Sequence, residues 1–93
     1  MRTYLAKVVE NRPGGQMDAE AFARQDWREW RNVNPADSLP AAILYRWIRD
    51  RGGLDVGERL RVTVYHTPKD GPKHPNGAPM TYTRTVFDIR KNS

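Results

Sequence analysis

Three segments of the chain are predicted to be β-strands, one from clean alternation of apolar and polar side chains and the others from their content of β-branched and aromatic residues. The first segment, Thr3–Glu10, reads TYLAKVVE and is rich in β-branched and aromatic residues. The other two segments, Arg59–Thr67 and Met80–Arg90, are expected to pair with each other as a hairpin. A bulge near Val86 is an alternative that would change which side chains of the last strand are buried.

Between the first strand and the hairpin, apolar residues recur at helical spacing. Asp18 can cap a first helix that runs to about Val33, and Phe22, Trp27 and Trp30 fall on its apolar face. The preceding stretch NRPGGQ ends the first strand, because its proline and glycines interrupt regular structure.

A second helix follows the connector NPADSLP, with Asp37 or Ser38 as its cap and Gly52 and Gly53 at its end. Apolar side chains cover about two thirds of its circumference, so the pattern predicts a helix that is packed on several sides. We expect this helix to lie at the centre of the core.

These elements predict an α+β fold in a single domain that spans residues 1–93, with the order β-α-α-β-β. We expect a small, mostly antiparallel three-stranded sheet with both helices packed on one face. The other face would be open to solvent or to a partner.

The predicted hairpin contains a long loop rich in proline and glycine. The stretch HTPKDGPKHPNGAPM, residues 66–80, includes the turn signals PKDG and PNG. Its prolines reduce the entropy lost on ordering, so we expect a stiff exposed finger that probes a partner. The alternative is a tolerated insertion, because long surface loops cost little free energy.

Composition narrows the classes of function. The chain has no cysteine, which excludes disulfides, a thiol nucleophile and a cysteine-ligated zinc site. It has no signal-peptide pattern and no apolar run of membrane-spanning length, so we expect a cytoplasmic protein. Sixteen Lys and Arg residues against eleven Asp and Glu residues give a net charge of +5. Arginine dominates the basic residues, and its planar fork suits phosphate and carboxylate groups.

Two basic surfaces are expected. Arg24, Arg28 and Arg31 would form a stripe along the first helix, with Glu20 placed to pair with Arg24. The open sheet face would combine arginine with tyrosine, an arrangement that can stack bases and hold phosphates. Its members are Arg59, Arg61, Tyr65, Tyr82, Arg84 and Arg90. The alternative is an ordinary polar sheet face.

Other candidate sites are weaker. Asp26 falls within the apolar arc of the first helix and is expected to be a buried carboxylate that bridges the two helices. His66, Asp70 and His74 recur at four-residue spacing, but the prolines between them forbid a helix, so we expect neither metal nor cofactor. The chain also has no catalytic motif of a known kind.

The sequence therefore predicts a non-enzymatic, basic binding module that docks on nucleic acid or on a ribonucleoprotein complex. The alternative is a protein-binding accessory or inhibitor factor of the kind that phages and mobile elements encode, which would block a host enzyme or defence complex. A small enzyme is a third reading. The residues expected to contact the partner are Arg24, Arg28, Arg31, Arg59, Arg61, Tyr65, Lys69, Lys73, His74, Tyr82 and Arg84.

Overall fold

The computed structural model describes residues 2–12, 14, 16, 18–32 and 38–92. Within them the elements are β1 (Thr3–Glu10), α1 (Ala19–Arg24), β2 (Arg28–Arg31), α2 (Leu39–Asp50), β3 (Arg59–Pro68) and β4 (Thr83–Arg90). The strands form one sheet in the order β2-β1-β3-β4, and every neighbouring pair is antiparallel.

The predicted three-stranded β-α-α-β-β fold is wrong, because the described chain has a fourth strand and the order β-α-β-α-β-β. The predicted first helix stops at Arg24, and β2 pairs residue by residue with β1, from Thr3 opposite Arg31 to Ala6 opposite Arg28. This pairing gives backbone partners to an edge of β1 that would otherwise lack them.

α2 covers one face of the sheet, which we call the α2 face. Strand side chains alternate between faces, so the even-numbered residues of β1 and β3 and the odd-numbered residues of β4 point toward this helix. The buried cluster consists of Ala6, Val8, Ile43, Leu44, Val62 and Val64. Trp30, Trp47 and Phe87 pack around it. α2 contributes Ile43 and Leu44 to this core, but the expectation of a helix that is packed on several sides is wrong, because α2 covers one sheet face and its Tyr45 is 68% exposed.

α1 lies on the opposite face, which we call the α1 face, so the expectation that both helices share one face is also wrong. Phe22 of α1 packs edge-on against Tyr65 of β3, with ring centroids 4.8 Å apart. Trp27 and Tyr82 complete an aromatic cluster around these two rings. The apolar residues of the predicted first helix are thus divided between two faces of the sheet.

The side chain of Lys7, a residue of β1, holds the carboxyl end of α1 against the sheet. Its ammonium group donates hydrogen bonds to the carbonyl oxygens of Phe22 at 3.0 Å and Gln25 at 3.1 Å. The same group lies 3.8 Å from the centroid of the Phe22 ring. Burial lowers the pKa of Lys7, and the carboxylate of Asp26 offsets part of this effect. A positive charge at the carboxyl end of a short helix also stabilises its dipole.

The predicted hairpin is confirmed, although β4 begins at Thr83 rather than Met80. Pairing runs without interruption from Arg59 opposite Arg90 to His66 opposite Thr83, so no bulge occurs near Val86. Residues 69–82 connect the two strands and form the finger, because residues 66–68 of the predicted loop belong to β3.

The ends of the two helices involve the capping residues that the sequence indicates. Asp18 caps α1, and its Oδ1 accepts hydrogen bonds from the backbone N–H groups of Glu20 and Ala21, both at 3.1 Å. Gly52 and Gly53 end α2 with positive φ angles of 96° and 87°. The predicted helix end at Val33, the possible cap Asp37 and the turn residues Pro13 and Gly15 lie outside the described residues. No helix in the described part of the chain is long and apolar enough to cross a membrane.

Candidate anion-binding site

Arginine side chains converge at the end of the sheet where β3 begins and β4 ends. They line an open cleft of about 920 Å³. We call it the arginine cleft, and its charged lining residues are Glu10, Arg12, Arg59, Arg61, Asp88 and Arg90. Four arginines therefore face two carboxylates in this space.

The β3–β4 register sets the order of charges in the cleft. Arg61 lies opposite Asp88, and its Nε and Nη2 donate to the two carboxylate oxygens at 2.6 and 3.1 Å. This two-point hydrogen bond holds the pKa of Asp88 below its usual range and raises that of Arg61. The pair fixes one wall of the cleft without adding net charge.

The next pair along the hairpin joins two cations, since Arg59 lies directly opposite Arg90. Neither guanidinium is within ion-pair distance of a carboxylate in the described part of the chain. Like charges opposite one another on a sheet are destabilising. Arg12, which follows β1, makes only a long 3.9 Å contact with Asp18. The cleft therefore carries an uncompensated positive charge that an anion would relieve.

The predicted arginine stripe on the first helix does not exist. Arg24 is the last residue of α1 and pairs with Glu20 at 3.8 Å, as expected. Arg28 and Arg31 belong to β2 instead, and their odd separation places them on opposite faces of the sheet. The three side chains therefore cannot bind one ligand together.

The predicted sheet face is only partly open. Arg59, Arg61 and Arg84 do share the α1 face, but Tyr65 is buried, with 1% of its surface exposed. Burial raises the pKa of Tyr65, and the positive charge of Arg84 opposes that effect. Tyr82 stays 45% exposed at the rim of the aromatic cluster. Tyr65 is therefore a core residue rather than a contact residue.

The cations of the finger are already engaged. Lys69 forms an ion pair with Glu29 of β2. The ammonium of Lys73 donates to the carbonyl oxygens of Lys69 and of Gly71. His74 is exposed near the tip, where its backbone N–H donates to the carbonyl of Ala78 at 2.8 Å. The finger is held by its own hydrogen bonds, and it does not present a row of free cations.

A second groove of about 440 Å³ lies between α2 and the β1–β2 edge. It contains the indole Nε1 of Trp30, which is buried and has no hydrogen-bond partner within the described residues. Two arginines at this groove already pair with acids, Arg46 with Asp50 at 3.7 Å and Arg51 with Glu58 at 3.0 Å. A third arginine, Arg28, has no acid partner among the described residues, but three carboxylates also line this groove: Asp26, Glu29 and Asp50. The arginine cleft, with four arginines and two carboxylates, is therefore the stronger anion site.

Sequence reasoning placed Arg90 on the correct face but did not join it to Arg12. The alternation of the strand residues placed Arg90, whereas no local signal shows that β1 pairs with β3 and so brings Arg12 beside the start of the hairpin. Asp26 is exposed and follows α1, so the predicted buried bridge is wrong. Among the described residues, no three His, Asp or Glu side chains are grouped as metal ligands would be.

Comparison with protein-family models, with curated proteins and with solved structures finds no match to this chain.

Proposed function

We propose that this protein is a non-enzymatic binding module that holds the phosphates of a nucleic acid in the arginine cleft. The observation that carries the proposal is the cross-strand pair of Arg59 and Arg90, which has no acidic partner in the described chain. Two residues further along β3, Arg61 is neutralised by Asp88, whereas Arg59 and Arg90 remain charged.

The chemistry of the cleft supports a phosphate ligand. Guanidinium groups offer planar forks that match phosphate oxygens and stay charged at all physiological pH values. The cleft is an open trough at the end of the sheet, and a polymer can pass through a trough of this kind. The net charge of +5 adds a longer-range attraction to a polyanion.

The histidines support a binding role rather than a catalytic one. Neither His66 nor His74 lines the arginine cleft, and its acid Asp88 is held as a low-pKa carboxylate by Arg61. A general acid or base needs a pKa near the working pH. The described lining also includes the carboxylate of Glu10, but its excess charge is positive and it contains no histidine.

The finger favours a second candidate function, a protein-binding accessory factor. Its shape is fixed by backbone hydrogen bonds, including one from the N–H of Met80 to the carbonyl of Pro72 at 2.9 Å. Met80 is 53% exposed on this stiff support. A preordered loop with an exposed apolar side chain suits insertion into a protein groove.

Fluorescence anisotropy with labelled random single-stranded DNA, RNA and duplex DNA, repeated over a salt series, tests the proposal. We expect micromolar binding that weakens steeply with salt. Removing the two cleft arginines of the cross-strand pair with Arg59→Gln and Arg90→Gln should lower the log–log salt slope by about 1.4 on single strands and about 1.8 on duplex DNA.

The matched control removes two arginines from α2, with Arg46→Gln and Arg49→Gln. This variant has the same net charge but keeps the cleft, so it should retain most of the affinity. Absence of binding at low salt, or equal losses in the two double variants, would show that the cleft is not a phosphate site. Salt-resistant capture of a protein through Met80 would favour the accessory role.

A further inference from the structure

β4 forms a long, regular edge of the sheet. It pairs with β3 over eight consecutive residues and is the last strand in the order β2-β1-β3-β4. Sheet edges are usually protected by charged side chains, above all lysine, by proline, by a bulge or by short length. TRTVFDIR contains neither proline nor lysine, and the register shows no bulge. Its charged residues, Arg84, Asp88 and Arg90, have both signs, so they can pair with those of a second copy. Val86 in its middle is 53% exposed. The edge is therefore open to another strand.

Two hydrogen bonds reveal which backbone groups of β4 point outward. The N–H of Lys91 donates to the carbonyl of Glu58 at 3.3 Å, in register with the β3–β4 ladder. On the other side of β3, the N–H of Asn11 donates to the carbonyl of Arg61 at 2.8 Å, so odd-numbered residues of β3 bond to β1. Because the pattern alternates, odd-numbered residues of β4 bond to β3. Even-numbered residues, including Val86, direct their N–H and C=O groups to the free edge.

A second copy can therefore pair with β4 only in registers that place even-numbered residues opposite one another. In the register centred on Val86, Arg84 of each copy lies opposite Asp88 of the other. The same register places Tyr82 opposite Arg90, within reach of a cation–π contact. Both Arg84–Asp88 pairs are attractive, and the two Val86 side chains meet at the symmetry axis.

The neighbouring registers are less favourable. A shift in one direction, to a centre on Phe87, places Arg84 opposite Arg90 twice. A further shift in that direction places Asp88 opposite its own copy. A shift in the other direction, to a centre on Thr85, places Asp88 opposite Tyr82 and leaves Arg84 without an acid. Opposite charges across strands stabilise a pair and like charges destabilise it, so the sequence of β4 selects one register.

We propose that β4 is a homodimer interface, in which two copies join antiparallel at Val86 to form a continuous eight-stranded sheet. The Arg84–Asp88 pair, which occurs twice by symmetry, sets the register. The inference stands on the edge of β4 alone and does not depend on nucleic-acid binding in the arginine cleft. A two-fold dimer would carry two such clefts.

Sedimentation velocity of the full chain, from low micromolar to several hundred micromolar, measures the association. We expect a reversible dimer. Arg84→Asp and Asp88→Arg should each weaken it roughly tenfold or more, because two attractive pairs become two repulsive ones. In an equimolar mixture of the two variants, aspartate again faces arginine at both pairs. The mixture should therefore form a heterodimer although neither variant dimerises well alone.

Val86→Lys tests the same interface while keeping the Arg61–Asp88 pair intact. It places two cations at the symmetry axis and should abolish the dimer. The matched control is Tyr45→Lys, at a large residue that is 68% exposed on α2 and lies outside β4, and it should leave association unchanged. A wild-type chain that stays monomeric, a variant mixture that behaves as two monomers, or a Val86→Lys chain that dimerises normally overturns the proposal.

Discussion

One face of the sheet is covered by the twelve residues of α2, and the other by the six residues of α1. On the α2 face, Ile43 and Leu44 are 4% and 2% exposed and meet aliphatic side chains from three strands. On the α1 face, no residue of the helix is fully buried, and the contacts are made by aromatic rings and by the ammonium of Lys7.

The difference shows how a small domain can combine stability with an accessible polar surface. An apolar core on one side supplies the hydrophobic free energy that the fold requires. The cover on the other side can then be short, and it leaves the arginines of the hairpin in contact with solvent. A six-residue helix is too short to be stable alone, so α1 depends on its cap at Asp18 and its anchor at Lys7.

The largest effect is expected from Leu44→Ala, which removes a fully buried side chain from the α2 face. The substitution should lower the free energy of unfolding by about 3 kcal/mol. For a domain of this size, the melting temperature falls by roughly 4–8 °C for each kcal/mol. The neighbouring Tyr45→Ala is the matched control, since Tyr45 is 68% exposed on the same helix. Equal destabilisation by both variants would contradict the assignment of the core to this face.

A smaller and more local effect is expected from Phe22→Ala on the α1 face. Loss of its ring contacts with Tyr65 and Tyr82 should cost about 1–2 kcal/mol. Native-state hydrogen exchange should show that the amides of α1 lose protection while those of β3 keep it. Arg24→Ala, on the exposed side of α1, is the control. Loss of protection throughout the sheet would mean that both faces contribute equally to the global fold.

The sequence predicted β1, α2 and the hairpin because each has a strong period and clear end signals. The segment of the predicted first helix was misread because Trp27 and Trp30 have helical spacing. In a helix such residues share a face, whereas in an extended chain an odd separation sends them to opposite faces. The structure uses the second geometry, with Trp27 in the aromatic cluster and Trp30 against the α2 core. No local pattern distinguishes the helix from the strand, because the strand forms only by pairing with β1, which is distant in the sequence.

The candidate site was predictable only in part. Strand alternation correctly grouped Arg59, Arg61 and Arg90 on one face. The compensation of these charges depends on cross-strand register, which links Arg61 to Asp88 and leaves Arg59 opposite Arg90. The finger shows the same limit, since the partner of Lys69 is Glu29, forty residues away in the sequence. Charge counts along a sequence do not reveal which cations remain free.

The smallest expected effect concerns His66, which lies on β3 at the margin of the α2 face and contacts the edge of the Tyr4 ring. Burial lowers the pKa of His66 below its ordinary value of 6.5. The unfolded chain therefore takes up this proton before the folded chain does. The stability contribution is complete above the unfolded pKa, and it declines as the pH falls through that value toward the lower folded pKa. In melting curves measured over the histidine range, from about pH 7 to about pH 5, His66→Gln should flatten the pH dependence slightly. An unchanged slope in His66→Gln would mean that the imidazole is solvated in the folded state, and the margin of the α2 face would then be as open as the α1 face.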